Sequence, residues 1–126
     1  MKLPCEVAVK SAVPAIRALL AKELTENHGI KQKEAADLLG ITQTAVSKYT
    51  HHVRGSILSI EKEEEVVTLV RKIAASLAGG DLNTTELVLQ ICATCKLIRK
   101  TRLMCKLCKH VSSIESQQCF ICIREI

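Results

Sequence analysis

Gln32-Lys33-Glu34-Ala35-Ala36-Asp37-Leu38-Leu39-Gly40-Ile41-Thr42-Gln43-Thr44-Ala45-Val46-Ser47-Lys48-Tyr49 is the stretch on which the reading of the fold turns. Two short helices that cross at a tight turn need a small residue where they touch, and Ala36 supplies it. They need a residue tolerant of the left-handed backbone between them, and Gly40 is that residue. They need apolar plugs in the wedge, here Ile41 and Val46. All four fall at the offsets of a helix-turn-helix, so the spacing predicts one helix over 31–39 and a second opening at Thr42.

With Ala45, Val46, Tyr49 and Val53 turned inward, the second helix leaves Gln43, Thr44, Ser47, Lys48 and His51 outward. These side chains are able to reach base edges or phosphates, and Gln43, Thr44, Ser47 and Lys48 are expected in the DNA major groove, with Gln43 and Thr44 at the end that usually enters it. Lys31, Gln32, His52 and Arg54 are placed for the phosphate backbone. The plainer alternative is a helical hairpin whose outer face is polar only because it is solvated.

Upstream, Val13, Ile16, Leu20 and Leu24 recur at three- and four-residue steps and predict an amphipathic helix that ends at Asn27-His28-Gly29. Pro14 belongs in a first turn, which makes 4–13 either a separate short helix or a kinked extension. Downstream, Ser59 is an N-cap candidate. Glu61, Glu63, Glu64 and Glu65 follow it, and Val66, Val70, Ile73 and Leu77 form a stripe. After Gly79-Gly80-Asp81, a helix restarts with Asn83 as N-cap, Glu86 as its capping-box partner and Leu82/Leu87 as a staple. It runs through Ile91, Cys92, Cys95 and Ile98 to about Arg102. The expected organisation is all-α: a DNA-binding domain over 1–58, a connecting and dimerisation helix over 59–83, and a helix with a small cysteine-rich metal-binding segment over 84–126.

Composition agrees with this. The 126 residues are 48% apolar but only 2% aromatic, so aliphatic side chains must fill the core. Basic residues outnumber acidic ones by eight to five over 1–58 and by seven to three over 84–126, leaving both ends suited to a polyanion. No apolar run reaches the roughly 18–20 residues of a membrane span, and the opening lacks the apolar core of a secretory signal, so a soluble, cytoplasmic protein is expected. There is no phosphate loop, nucleotide fingerprint or nucleophile–base set, hence no catalytic assignment and no small-molecule substrate.

Seven cysteines in such a chain point to metal or redox chemistry rather than disulfides. Cys92/Cys95, Cys105/Cys108 and Cys119/Cys122 are Cys-x-x-Cys pairs within 31 residues, a spacing that lets both sulfurs face one metal. Lys96, Arg99, Lys100, Arg102, Lys106 and Lys109 would favour the thiolates. Four of the six are expected as ligands. Zinc needs only four, but its knuckles usually place a glycine after the second cysteine, where Lys96, Lys109 and Ile123 stand here. A [4Fe–4S] iron–sulfur cluster suits the apolar neighbours Ile91, Leu103, Met104, Leu107, Phe120 and Ile121 and is favoured over Zn²⁺. A thiol–disulfide switch without metal is the third reading. Cys5 is either a small buried hydrophobe or a further ligand, and His110 either a substitute ligand or an exposed tail residue.

The sequence resembles a family of archaeal predicted transcriptional regulators with a helix-turn-helix like that of the phage repressor and Cro group. The matching stretches are Leu3-Pro4-Cys5-Glu6-Val7, Pro14-Ala15-Ile16-Arg17-Ala18, Leu39-Gly40-Ile41-Thr42-Gln43-Thr44-Ala45-Val46-Ser47 and Ile91-Cys92-Ala93-Thr94-Cys95. The resemblance implies an archaeal source and DNA binding. Some members carry an additional ligand-binding or thiamine-synthesis domain that these 126 residues do not include. The expected function is therefore a double-stranded-DNA-binding regulator, as a homodimer, whose metal centre senses redox, oxygen or iron status or stabilises the fold. The alternatives are a nucleic-acid-associated redox or electron-transfer protein and a zinc-stabilised regulator without a sensing role. The apolar stripes of the helices over 12–24, from 59 and over 84–102 are the expected dimer contact.

Overall fold

The computed structural model describes residues 4–51 and 60–101, and among these every element is helical. They are α1 (Pro4–Lys10), α2 (Ala12–Lys22), α3 (Gln32–Leu39), α4 (Gln43–Thr50), α5 (Glu64–Ala78) and α6 (Thr84–Lys100), with a π-helical turn, Glu23–Asn27, continuing α2. None of these helices is long and apolar enough to cross a membrane.

The first two helices are separate. Ser11 sits between them, and its buried hydroxyl donates to the Val7 carbonyl at 2.7 Å. Pro14 falls in the first turn of α2, where its missing N–H costs nothing. α2 is the centre of the molecule. It packs against α1, α3, α4, α5 and α6. It buries Ala12, Ala15, Ile16, Leu19, Leu20 and Ala21. The alanines let neighbouring helices approach closely, while Ile16 and Leu20 fill the space between them. Each fully buried aliphatic side chain contributes about 1.5–3 kcal/mol relative to leaving it exposed.

At the end of α2 the helix widens by one residue: the His28 N–H bonds the Glu23 carbonyl at 3.2 Å, a five-residue step. Glu23 is only 8% exposed. Its carboxylate accepts from the Asn27 amide at 2.6 Å and from Arg71 Nε at 3.4 Å, which ties this turn to α5.

α5 begins later than Ser59 would have it. Glu63 is the N-cap and Ile60 to Glu63 form a turn, the Glu63 N–H bonding the Ile60 carbonyl at 3.1 Å; Ser59 itself lies outside the described residues. The reason is geometric. At about 100° per residue, a helix continuous from Ser59 would place Ile60 roughly 120° from Val66 and off the buried stripe. The turn instead seats Ile60 in the core at 2% exposure.

Val66, Val70, Ile73 and Leu77 on α5 are all buried within this one chain, as are Ile16, Leu20 and Leu24. The sequence suggested that these stripes were spare surface for a partner; they are instead consumed by the chain's own core. The large apolar side chains that remain exposed among the described residues are Val9 on α1 and Val88 and Leu89 on α6. α6 starts as expected: Asn83 Oδ1 accepts from the Glu86 N–H at 2.8 Å, and Glu86 Oε1 accepts in return from the Asn83 side-chain amide at 2.8 Å. Leu82 and Leu87 both join the core.

Candidate nucleic-acid interface

α3 ends in a Schellman turn. Gly40 takes φ 67°, ψ 31°, the Ile41 N–H reaches back to the Ala36 carbonyl at 3.0 Å, and the Gly40 N–H to the Asp37 carbonyl at 3.3 Å. Open space surrounds the position where a Gly40 side chain would begin, so glycine is needed there for its backbone conformation and not for room. Thr42 then caps α4, its Oγ1 accepting from the Ala45 N–H at 3.0 Å, a cap worth about 1 kcal/mol.

The consequence is two short helices held at a fixed angle by a three-residue turn, with Ala36 buried beneath it and Ile41 half-buried against the core. α4 turns Ala45, Val46 and Tyr49 inward against α2 and α3. On its other side Gln43, Thr44 and His51 are exposed and Ser47 and Lys48 partly so. At about 100° per residue these five span roughly 140° of the helix circumference, one continuous polar face. The face carries one full positive charge, Lys48, and no carboxylate.

His51 has a defined orientation. Its Nδ1 lies 2.7 Å from the Ser47 carbonyl, an atom that can only accept, so Nδ1 carries the proton. Nε2 is then the ring nitrogen left for an outside group: an acceptor when the ring is neutral and a cationic donor when it is protonated.

At the start of α3, Lys31 is exposed and Gln32 is half-buried. Lys33, which the helix-turn-helix pattern does not single out, is exposed on the same turn and adds a second cation there; its exposure could have been read from its position nearly opposite the buried Ala35. His52, Arg54 and Val53 lie outside the described residues.

Of the cysteines, Cys92 and Cys95 are on α6. Cys92 is exposed and Cys95 half-buried at the edge of the core. Three residues apart on a helix, they are about 60° apart around it and one above the other, so both sulfurs can approach one metal. They fit half of a four-thiolate site: among the described residues no three metal-ligating side chains come together. Cys105, Cys108, Cys119, Cys122, His110 and the Cys5 side chain lie outside the described set. Between the pair, Thr94 is fully buried and its hydroxyl donates to the Gln90 carbonyl at 2.8 Å.

Comparison of the chain with family models, curated proteins and solved structures finds no match. Its function is therefore argued from these residues.

Proposed function

We propose that the chain is a DNA-binding transcription regulator in which α3 and α4 form a helix-turn-helix and the cysteine-rich end holds a thiolate-ligated metal centre. The observation that carries this reading is the pairing of the Gly40 turn with the continuous polar face of α4. A turn that fixes two helices so closely has no need of an acid-free polar face, and a solvated face has no need of the turn. A DNA reader needs both. Gln43 and Thr44, at the α4 N-terminus, are assigned to base edges with Ser47. Lys48 and His51 extend that face, and Lys31, Gln32, His52 and Arg54 contact phosphates.

The protein acts as a homodimer, since one such element buries too little DNA surface for high specificity. The metal centre is a [4Fe–4S] cluster in preference to Zn²⁺. α6, which bears the first cysteine pair, packs on α2, and α2 packs on α4, so the pair and the DNA-reading face share one rigid neighbour.

The test is binding of the full chain to a pool of duplex sequences, followed by anisotropy titrations on the selected and a scrambled site. Gln43→Ala with Thr44→Ala is expected to erase most of the preference, by roughly 1–3 kcal/mol for each base-edge interaction removed. Lys48→Ala is expected to weaken both duplexes alike and to lower the salt slope by about 1. Selected and scrambled sites discriminated as well by the double variant as by the parent chain would overturn the assignment.

A further inference from the structure

We infer that His51 is a proton-coupled phosphate contact: its ring engages a DNA phosphate only as the imidazolium, so the chain takes up a proton at His51 on binding a duplex and holds DNA more tightly as the pH falls. This rests on the DNA-binding part of the proposed function and names how one residue of that face acts.

The tautomer of His51 is fixed. A carbonyl oxygen only accepts, and the Ser47 carbonyl lies 2.7 Å from His51 Nδ1, so Nδ1 keeps its proton whether the ring is neutral or charged. The same carbonyl accepts from the His51 N–H at 3.0 Å and from Thr50 Oγ1 at 3.0 Å, so the ring is docked on a turn already closed by hydrogen bonds. Nε2 is left for an outside group. A DNA phosphate offers only acceptors. Facing the Nε2 lone pair of a neutral ring it makes no hydrogen bond, whereas facing the Nε2–H of an imidazolium it makes a charge-assisted one. A histidine able to swap tautomers would turn an N–H to the phosphate without taking up a proton. His51, held by Ser47, has to take one up.

Its place on α4 suits a phosphate. His51 is exposed, one turn beyond Ser47, and at about 100° per residue it sits near the middle of the polar arc, at the end of the helix away from Gln43 and Thr44. Gln43 and Thr44 mark the end proposed to enter the groove, so the His51 end is the one left for the backbone beside it. Lys48, partly exposed one turn before His51, adds the attraction of a second cation. The Ser47 hydroxyl, 3.3 Å from a nitrogen that already carries a proton, keeps its own proton for an outside acceptor.

Neighbouring charges do not take the ring. α4 packs on α2 and α3, whose charged side chains are Arg17 and Lys22 on the first and Lys33, Glu34 and Asp37 on the second. Among the described residues none of these is hydrogen-bonded or ion-paired with His51. Lys22 pairs with Glu61 at 3.7 Å, and both partners of the ring belong to Ser47. The phosphate, and not Glu34 or Asp37, is then the anion that the ring meets.

The experiment is an anisotropy titration of the full chain on the selected and the scrambled duplex, at constant ionic strength and across about pH 5–8, where histidine side chains change charge. Linkage sets the sign. The bound form holds the proton, so affinity is highest in acid and falls as the pH rises, by up to about tenfold per pH unit for each chain bound, alike on both duplexes. His51→Gln is expected to lower that slope by about one proton per chain. His51→Lys, a cation throughout, should remove the same part of the slope and keep the acid-side affinity at high pH. His28→Gln should leave the slope as it is. A second measurement needs no DNA: long-range ¹H–¹⁵N correlation of the imidazoles in alkaline solution, with His51 assigned by its loss in His51→Gln, should place the proton on Nδ1. A proton on Nε2 overturns the inference and leaves DNA binding in place. So does a slope that survives His51→Gln while the urea midpoint moves, the result of a role confined to the C-terminus of α4. Affinity that rises with pH on the selected duplex alone, as a neutral ring accepting from a base amino group would give, overturns it equally. A chain that binds neither duplex at any pH overturns the proposed DNA binding itself, and the phosphate contact with it.

Discussion

Replacing Leu20 with alanine is expected to lower the unfolding free energy by about 2–5 kcal/mol, the usual cost of emptying a leucine-sized site in a packed core. Leu20 is fully buried on α2, where α1, α3, α4, α5 and α6 all meet the same helix. Collapse of the surroundings into the gap would have to shift several helices at once, which argues for the upper part of the range. Against a typical total of about 5–15 kcal/mol the loss is large, and the melting temperature should fall by on the order of 10 °C or more. Urea titration checks this: the midpoint should drop with an unchanged slope. Val9→Ala is the control, since Val9 is 64% exposed and its truncation should stay within about 0.5 kcal/mol. A Leu20→Ala midpoint equal to that of Val9→Ala would mean that α2 is not the centre of the core.

The second large effect is chemical and should leave the helices standing. Cys92→Ser with Cys95→Ser removes both thiolates that α6 offers to the proposed metal, and structural zinc sites bind with about 10–16 kcal/mol of apparent free energy near neutral pH. Metal content should fall to background. The described helices should keep their dichroism and urea midpoint, because Cys92 is exposed and Cys95 only edges the core, while Leu87, Thr94 and Ile98 carry the packing of α6. Limited proteolysis should then cut beyond Thr101 and spare the helices, since the proposed metal is the expected source of folding free energy for the cysteine-rich segment. Full metal occupancy in the double variant would exclude this pair from the ligand set.

What could be read in advance was what depends on near neighbours in the chain. Ala36, Gly40, Thr42 and Val46 fall within eleven consecutive residues, so their offsets alone specify the α3–α4 connection. Asn83 with Glu86 and Leu82 with Leu87 do the same for the start of α6. The polar arc of α4 follows from helical period once Ala45, Val46 and Tyr49 are taken as buried.

Features set by distant partners were not legible. Glu23 and Arg71 are 48 positions apart, and nothing near either one marks a buried carboxylate in a widened turn. The late start of α5 is decided by the place that Ile60 finds in a core built mostly by other helices. The same holds for the α2 and α5 stripes. Periodicity shows that Val70 or Leu24 will be covered, but only the folded structure shows that the cover is another part of the same chain. For the cysteines, the spacing marks three pairs, of which Cys92/Cys95 on α6 is the one among the described residues.

The central position of α2 also determines how the molecule opens. A helix enclosed by five others cannot expose its backbone to solvent by local fraying, so the amides of Ile16, Leu19 and Leu20 can exchange with deuterium only when the whole core comes apart. On the last turn of α4, Lys48 and Thr50 are half-buried and His51 is exposed, so their amides are expected to exchange sooner than those of α2. The helix proposed to read DNA is therefore anchored at its buried side to the part of the described core expected to exchange most slowly, so a bound duplex would meet a reading face held from behind by the centre of the fold.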